Sequence, residues 1–131
     1  MSVELTCLAL AGLLWAAQLA HLALRANLEI GSRYFLSPRD TDPPQPLSPG
    51  TARLKRAYQN HHEALLLFAV AIAVLTLADK ESAVTASLAV AYLLARTLFV
   101  PAYLLGWSPL RSVFFGIGYL CSILLLVLAL L

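Results

Sequence analysis

The sequence predicts an all-α integral membrane protein, an up-down four-helix transmembrane bundle, on three observations. Hydrophobic side chains make up 60% of the 131 residues and charged ones only 12%, more apolar than a soluble domain of this size tolerates. Four stretches (Leu5 to Leu24, Ala57 to Ala78, Ala83 to Leu105, Val113 to Leu131) are long enough to cross a hydrocarbon core of about 30 Å, which takes roughly 20 apolar helical residues. The later connections are so short that the helices they join must be antiparallel neighbours. With their flanks the spans cover about 5–25, 54–78, 82–105 and 109–131, so residues 1–131 form one membrane domain without a soluble catalytic module.

The first span opens with "MSVEL", which carries Glu4 and no Lys or Arg. A secretory signal needs a positive leading region, so this segment is expected to be a permanent helix. The connection "NLEIGSRYFLSPRDTDPPQPLSPGT" holds five of the seven prolines and two glycines and is expected to be irregular. Ser48 followed by Pro49, or Thr51, suits the cap of the second helix. "DKES" reads as a tight turn into the third. Pro101 deprives the Thr97 carbonyl of its helical donor and predicts a kink there. Gly106 suits the end of that helix, Ser108 the N-cap of the fourth and Pro109 its first helical position. Gly12, Gly116 and Gly118 read as sites of close helix packing. Cys7 and Cys121, isolated in apolar helices, read as small core residues.

Net charge is +2 and no basic cluster is interleaved with aromatics, which argues against nucleic acid as a partner. Arg25, Arg33, Arg39, Arg53, Lys55 and Arg56 surround the first connection, Arg111 marks the third, and the second carries only Lys80. The positive-inside rule then puts the first and third connections in the cytoplasm and both termini outside it.

Polar groups inside the spans fall into stripes. At helical spacing Arg53, Arg56, Asn60 and Glu63 lie within an arc of about 80°, continued by Leu67, Val70 and Val74. Tyr92, Arg96, Phe99 and Tyr103 form another stripe, and Arg111, Phe115, Gly118 and Ser122 a third. Gln18, His21 and Arg25 line up towards the same end of the first span. Glu63 sits roughly 9 Å inside the apolar boundary taken at Ala57 and Arg96 roughly 15 Å before Gly106, so the stripes are expected to converge on the cytoplasmic half. An ion at such depth needs a partner or water, and Glu63 and Arg96 are expected to supply each other. One carboxylate does not balance Arg53, Arg56, Arg96 and Arg111, so the cluster is left cationic and suited to an anion.

His61, His62 and Glu63 diverge by about 100° per residue and cannot converge on one ion; no metal site is expected, and the two imidazoles suit the membrane interface. Trp15, Trp107, Tyr34, Tyr58 and Tyr119 read as packing or belt residues. No Ser/His/Asp order, H-E-x-x-H, P-loop or G-x-G-x-x-G appears, so any chemistry must borrow its nucleophile from a bound molecule. A thiol cofactor fits: with a pKa of about 8.5 it is mostly protonated at neutral pH, and a guanidinium beside the sulfur favours the thiolate. Further arginines would hold carboxylates of the same ligand by paired hydrogen bonds.

"RAYQNHHE", continued in "AYLLARTLFVPAY" and "PLRSVFF", resembles the MAPEG family, the membrane-associated proteins of eicosanoid and glutathione metabolism, in its small bacterial branch. The resemblance runs in order through the whole chain. It implies a homotrimer in a bacterial inner membrane, with glutathione bound between neighbours near the cytoplasmic face.

 

Carried over by position, Arg56, Asn60 and Glu63 would hold glutathione, Tyr103 would contact it, and Arg111 would stabilise its thiolate. Arg96 would match the arginine of the family's third helix and Arg33 the one near the end of its first, while Ser112 matches the serine that follows the thiolate arginine. Ala64 and Phe99 stand where some members carry ligand-contacting tyrosines. The activity implied is that of a membrane glutathione transferase or peroxidase-like enzyme acting on a lipophilic small molecule from the lipid bilayer. The competing expectations are a small proton-coupled multidrug exporter, since four spans and one membrane carboxylate also describe that class, and a noncatalytic glutathione-binding or scaffold protein.

Overall fold

The computed structural model describes all residues, Met1–Leu131, and they form four long helices, one short helix and no strand. α1 (Val3–Ile30) is followed by the short α2 (Ser32–Phe35), and then by α3 (Pro49–Leu77), α4 (Ala83–Leu104) and α5 (Ser108–Leu130). α1, α3, α4 and α5 are each long and apolar enough to cross a bilayer. The chain is therefore an integral multi-pass membrane protein with the up-down order expected.

Local chemistry sets the helix ends. The Ser2 hydroxyl accepts from the Leu5 N–H and opens α1, and Ser48 does the same for α3 by accepting from Thr51, with Pro49 at the first helical position. A capping box of Ser82 and Thr85 opens α4. Gly106, at φ +75°, lets the chain leave α4 in the left-handed conformation that other residues adopt only at a cost. Two boundaries differ from expectation. The first connection is shorter than its prolines suggested, because α1 continues through "ANLEI" until Gly31, at φ +102°, stops it, and α2 follows at once. α5 begins one residue early: Trp107 occupies the cap position without a side-chain bond, and Ser108 is already helical.

α3 and α4 are the central pair. Each packs against the other and against both α1 and α5, which do not touch one another. The core takes Cys7 and Ala11 from α1, Phe68, Ala71, Ile72 and Leu75 from α3, Ala89 and Tyr92 from α4, and Cys121 and Leu125 from α5. Half of these residues are alanine or cysteine, which lets the helices approach closely, as in membrane bundles held by packing rather than by expulsion of water. The Phe68 and Tyr92 rings stack with centroids 3.7 Å apart. Gly118 serves the same end: a Cβ there would sit 3.5 Å from Arg96 Cδ and 3.6 Å from Tyr92 Cδ2. Both cysteines are buried and unpaired, as expected of core residues.

Candidate functional site

α4 carries its polar stripe inward. Tyr92, Arg96 and Phe99 are buried, and Tyr103 near the helix end is half-buried. Arg96 is the largest fully buried side chain in the protein. Its Nη1 donates to Asn60 Oδ1 at 3.0 Å, its Cζ lies 4.3 Å from the centroid of the Phe99 ring, and its Nε and Nη2 have no partner. The expected pairing of Arg96 with Glu63 is therefore corrected: the amide one turn earlier on α3 takes the guanidinium.

The reason lies in how α3 is rotated. Arg53, Arg56, Asn60 and Glu63 do share a face, but that face is the rim of the bundle rather than its interior. Arg56, Glu63, Val70 and Val74 are exposed, Asn60 is intermediate, and the buried side of α3 is Leu54, Ala57, His61, Phe68 and Ile72. Glu63 instead lines a shallow recess of ≈ 190 Å³ between α3, α4 and α5 with Tyr92, Phe115 and Ser122. Glu63 is exposed within the single chain.

At the loop side of the bundle, cations gather around Tyr103. Arg56 Nε donates to the Tyr103 hydroxyl at 3.1 Å, with Cζ 6.0 Å from the ring centroid. Arg111, from the first turn of α5, places its Cζ 4.7 Å from the same centroid. Arg53 Nη1 reaches the Leu104 carbonyl at 3.5 Å, where the negative end of the α4 dipole favours a cation. A recess of ≈ 270 Å³ opens among Asn60, Phe99, Tyr103, Arg111, Ser112 and Phe115. Four guanidiniums thus meet an amide, a phenol, a carbonyl and aromatic faces, and none of these partners carries a negative charge.

Five of the eight expected site residues fall into two contacting groups, Asn60 with Arg96 and Arg56 with Tyr103 and Arg111, connected through the Phe99 ring, and Ser112 lines the same recess. Glu63 borders the neighbouring recess. Arg33 stands apart: it is exposed on α2, which packs on α1 alone. Nor does the first-span stripe converge on the site. Gln18 is buried, whereas His21 and Arg25 are exposed.

The sequence reading missed a buried pair. His61 lies wholly inside the bundle, with Nδ1 hydrogen-bonded to Gln18 Oε1, so it is not an interfacial ring as expected; His62 is exposed, 5.5 Å from Trp15. A lone glutamine in an otherwise apolar stretch of the first span was the available signal. No group of His, Cys, Asp or Glu side chains is placed to hold a metal.

A family model described as the MAPEG family matches residues 3–131, essentially the whole chain. The chain belongs to the MAPEG family. Its members are four-helix membrane bundles of glutathione-related transferase and peroxidase type, and they use glutathione as substrate or cofactor. No curated protein and no solved structure matches the chain.

Proposed function

We propose that this MAPEG protein is a membrane-bound glutathione transferase or peroxidase-like enzyme acting on a lipophilic electrophile. The observation that carries the reading is the uncompensated guanidinium cluster at Asn60, Tyr103 and Arg111, opening into a recess of ≈ 270 Å³. The donor set fits the ligand. Arg56 and Arg96 offer N–H groups to carboxylates, Asn60 offers an amide to the peptide, and Glu63 is an unpaired acceptor for an ammonium. Arg111 would stabilise the thiolate, which glutathione supplies as nucleophile, and Ser112 lines the same recess. Tyr103 holds Arg56 and Arg111 on its hydroxyl and ring.

The site is incomplete in one chain. Arg56 and Glu63 lie on an exposed rim, and a carboxylate so deep in a span needs a partner that this chain does not provide. A homotrimer with the ligand between neighbours would cover that rim and bring in further groups; Arg33, remote from the cluster within the chain, joins the site only if a neighbour's α2 approaches it. In this reading the arginine-rich connections face the cytoplasm of a bacterial inner membrane and both termini lie outside. A proton-coupled exporter of cations is disfavoured by the same cluster, since a cation pocket should be net negative.

Isothermal titration with glutathione tests the assignment. Arg111→Ala and Glu63→Ala are each expected to weaken binding roughly tenfold or more, the scale of a hydrogen bond to a charged group. Ultraviolet absorbance of the bound thiolate should vanish in Arg111→Ala alone. Undiminished binding in both variants would overturn these roles.

A further inference from the structure

A second cationic recess lies away from the glutathione site, between α1, α2, the proline-rich loop and the start of α3. Its volume is ≈ 370 Å³. Leu19, Leu22 and Ala23 of α1 form an apolar trough at one end, and Phe35 and Leu47 continue it; Arg39 and Lys55 stand on its rim. The recess straddles a chemical boundary. Arg25 is the first charge after the apolar part of α1; Leu19, Leu22 and Ala23 precede it, while Asn27, Phe35, Leu47 and both rim cations lie beyond it.

The wall is fixed rather than loose. The Glu29 carboxylate accepts from the Ser48 N–H at 2.9 Å, the Gln45 amide bonds the Glu29 carbonyl, and the Tyr34 hydroxyl donates to the Thr41 carbonyl at 3.2 Å. Arg39 adopts φ +59°, a left-handed conformation uncommon for a residue with a long side chain. Its guanidinium folds back onto α2, donating through Nε at 3.2 Å and Nη2 at 3.0 Å to the Phe35 carbonyl and lying 5.1 Å from the Phe35 ring centroid. One strained residue thus holds a positive charge at the mouth of an apolar trough, and none of its bonds neutralises it. Lys55, which lines the same recess, is also exposed.

We infer that this recess is a binding site for one anionic phospholipid, with its phosphate between Arg39 and Lys55 and an acyl chain along Leu19, Leu22 and Ala23. Charge complementarity selects the headgroup, and the apolar trough running from the boundary towards the span selects a lipid over a free phosphate. The inference does not depend on the glutathione reading, because none of these residues belongs to that site.

Native mass spectrometry of the detergent-solubilised protein tests it, with phosphatidylglycerol, phosphatidylcholine and inorganic phosphate offered separately. Phosphatidylglycerol should be retained in preference to phosphatidylcholine, and inorganic phosphate should not compete with it. Arg39→Gln and Lys55→Gln should each reduce that preference about fivefold, the scale of one basic side chain near an anionic surface. Ala23→Trp, at an exposed position, should lower retention of phosphatidylglycerol while both cations remain. Glutathione titration of the same samples reports separately on the other site and on folding. Equal retention of the two lipids, retention unchanged in all three variants, displacement by phosphate alone, or a crosslink from Lys55 to a second copy of the chain would overturn the assignment.

Discussion

At the end of the bundle where α1 begins and α3 turns into α4, each acidic group that bonds across helices meets a hydroxyl. The buried Glu4 accepts from Thr85 Oγ1 at 2.6 Å, and Glu81 accepts from Ser2 and Thr76, both at 2.8 Å. At the opposite end four arginines crowd Tyr103, Asn60 and the close of α4 without an acid among their partners. Neither end pairs its charges with opposite ones, but one uses them to tie α1 to α4 and to close the turn, while the other leaves two nitrogens of the buried Arg96 without any partner. Folding alone favours the first arrangement, since a buried charge without compensation costs more than the packing around it returns. The second arrangement makes sense where a ligand completes it.

The sharpest way to break this contrast is at Arg96. Asn60→Leu removes the only hydrogen-bond partner of a fully buried guanidinium and is expected to cost about 3 kcal/mol of stability, read by thermal unfolding in detergent. Adding Arg96→Met should recover most of that loss, because an apolar side chain of similar length needs no partner. A loss of only a few tenths would mean that water or a neighbouring chain already satisfies Arg96.

At the paired end the expected effects are smaller and leave glutathione untouched. Thr85→Val strips the donor from Glu4 and should cost about 2 kcal/mol, because the hydroxyl also accepts from the Ser82 N–H at 2.7 Å. Ser82→Ala removes the cap alone and should cost about 1 kcal/mol. If either variant weakened glutathione binding more than stability, the two ends would not be independent.

How much of this was legible in the sequence follows from what a membrane helix reveals. Apolar length fixed the number of spans, and the Ser48-Pro49 and "DKES" signals located two of the breaks, because caps and turns are local chemistry. Helical spacing also grouped the right residues: Arg53, Arg56, Asn60 and Glu63 share a face, and Tyr92, Arg96 and Phe99 share another. What spacing could not supply was the rotation of each face. A helix apolar all round carries little information about which side meets its neighbours, so Glu63 was expected beside Arg96 and instead lies on the rim. His61 was obscured for the same reason, since its burial depends on Gln18 arriving from α1.

The smallest expected effect separates Arg53 from the arginines proposed to bind glutathione. Arg53 spends its guanidinium on the Leu104 carbonyl and the close of α4, where a Cβ on Gly106 would sit 3.5 Å from Nη1. Arg53→Gln keeps a donor there but removes the charge facing the helix dipole, and should cost about 0.5 kcal/mol in unfolding measurements at low salt. Because this cation already answers a helix terminus, its loss should weaken glutathione binding far less than that of Arg111. A titration in which Arg53→Gln and Arg111→Ala lose the same affinity would show that the cluster acts through its summed charge, and the distinction drawn between its members from geometry would fall.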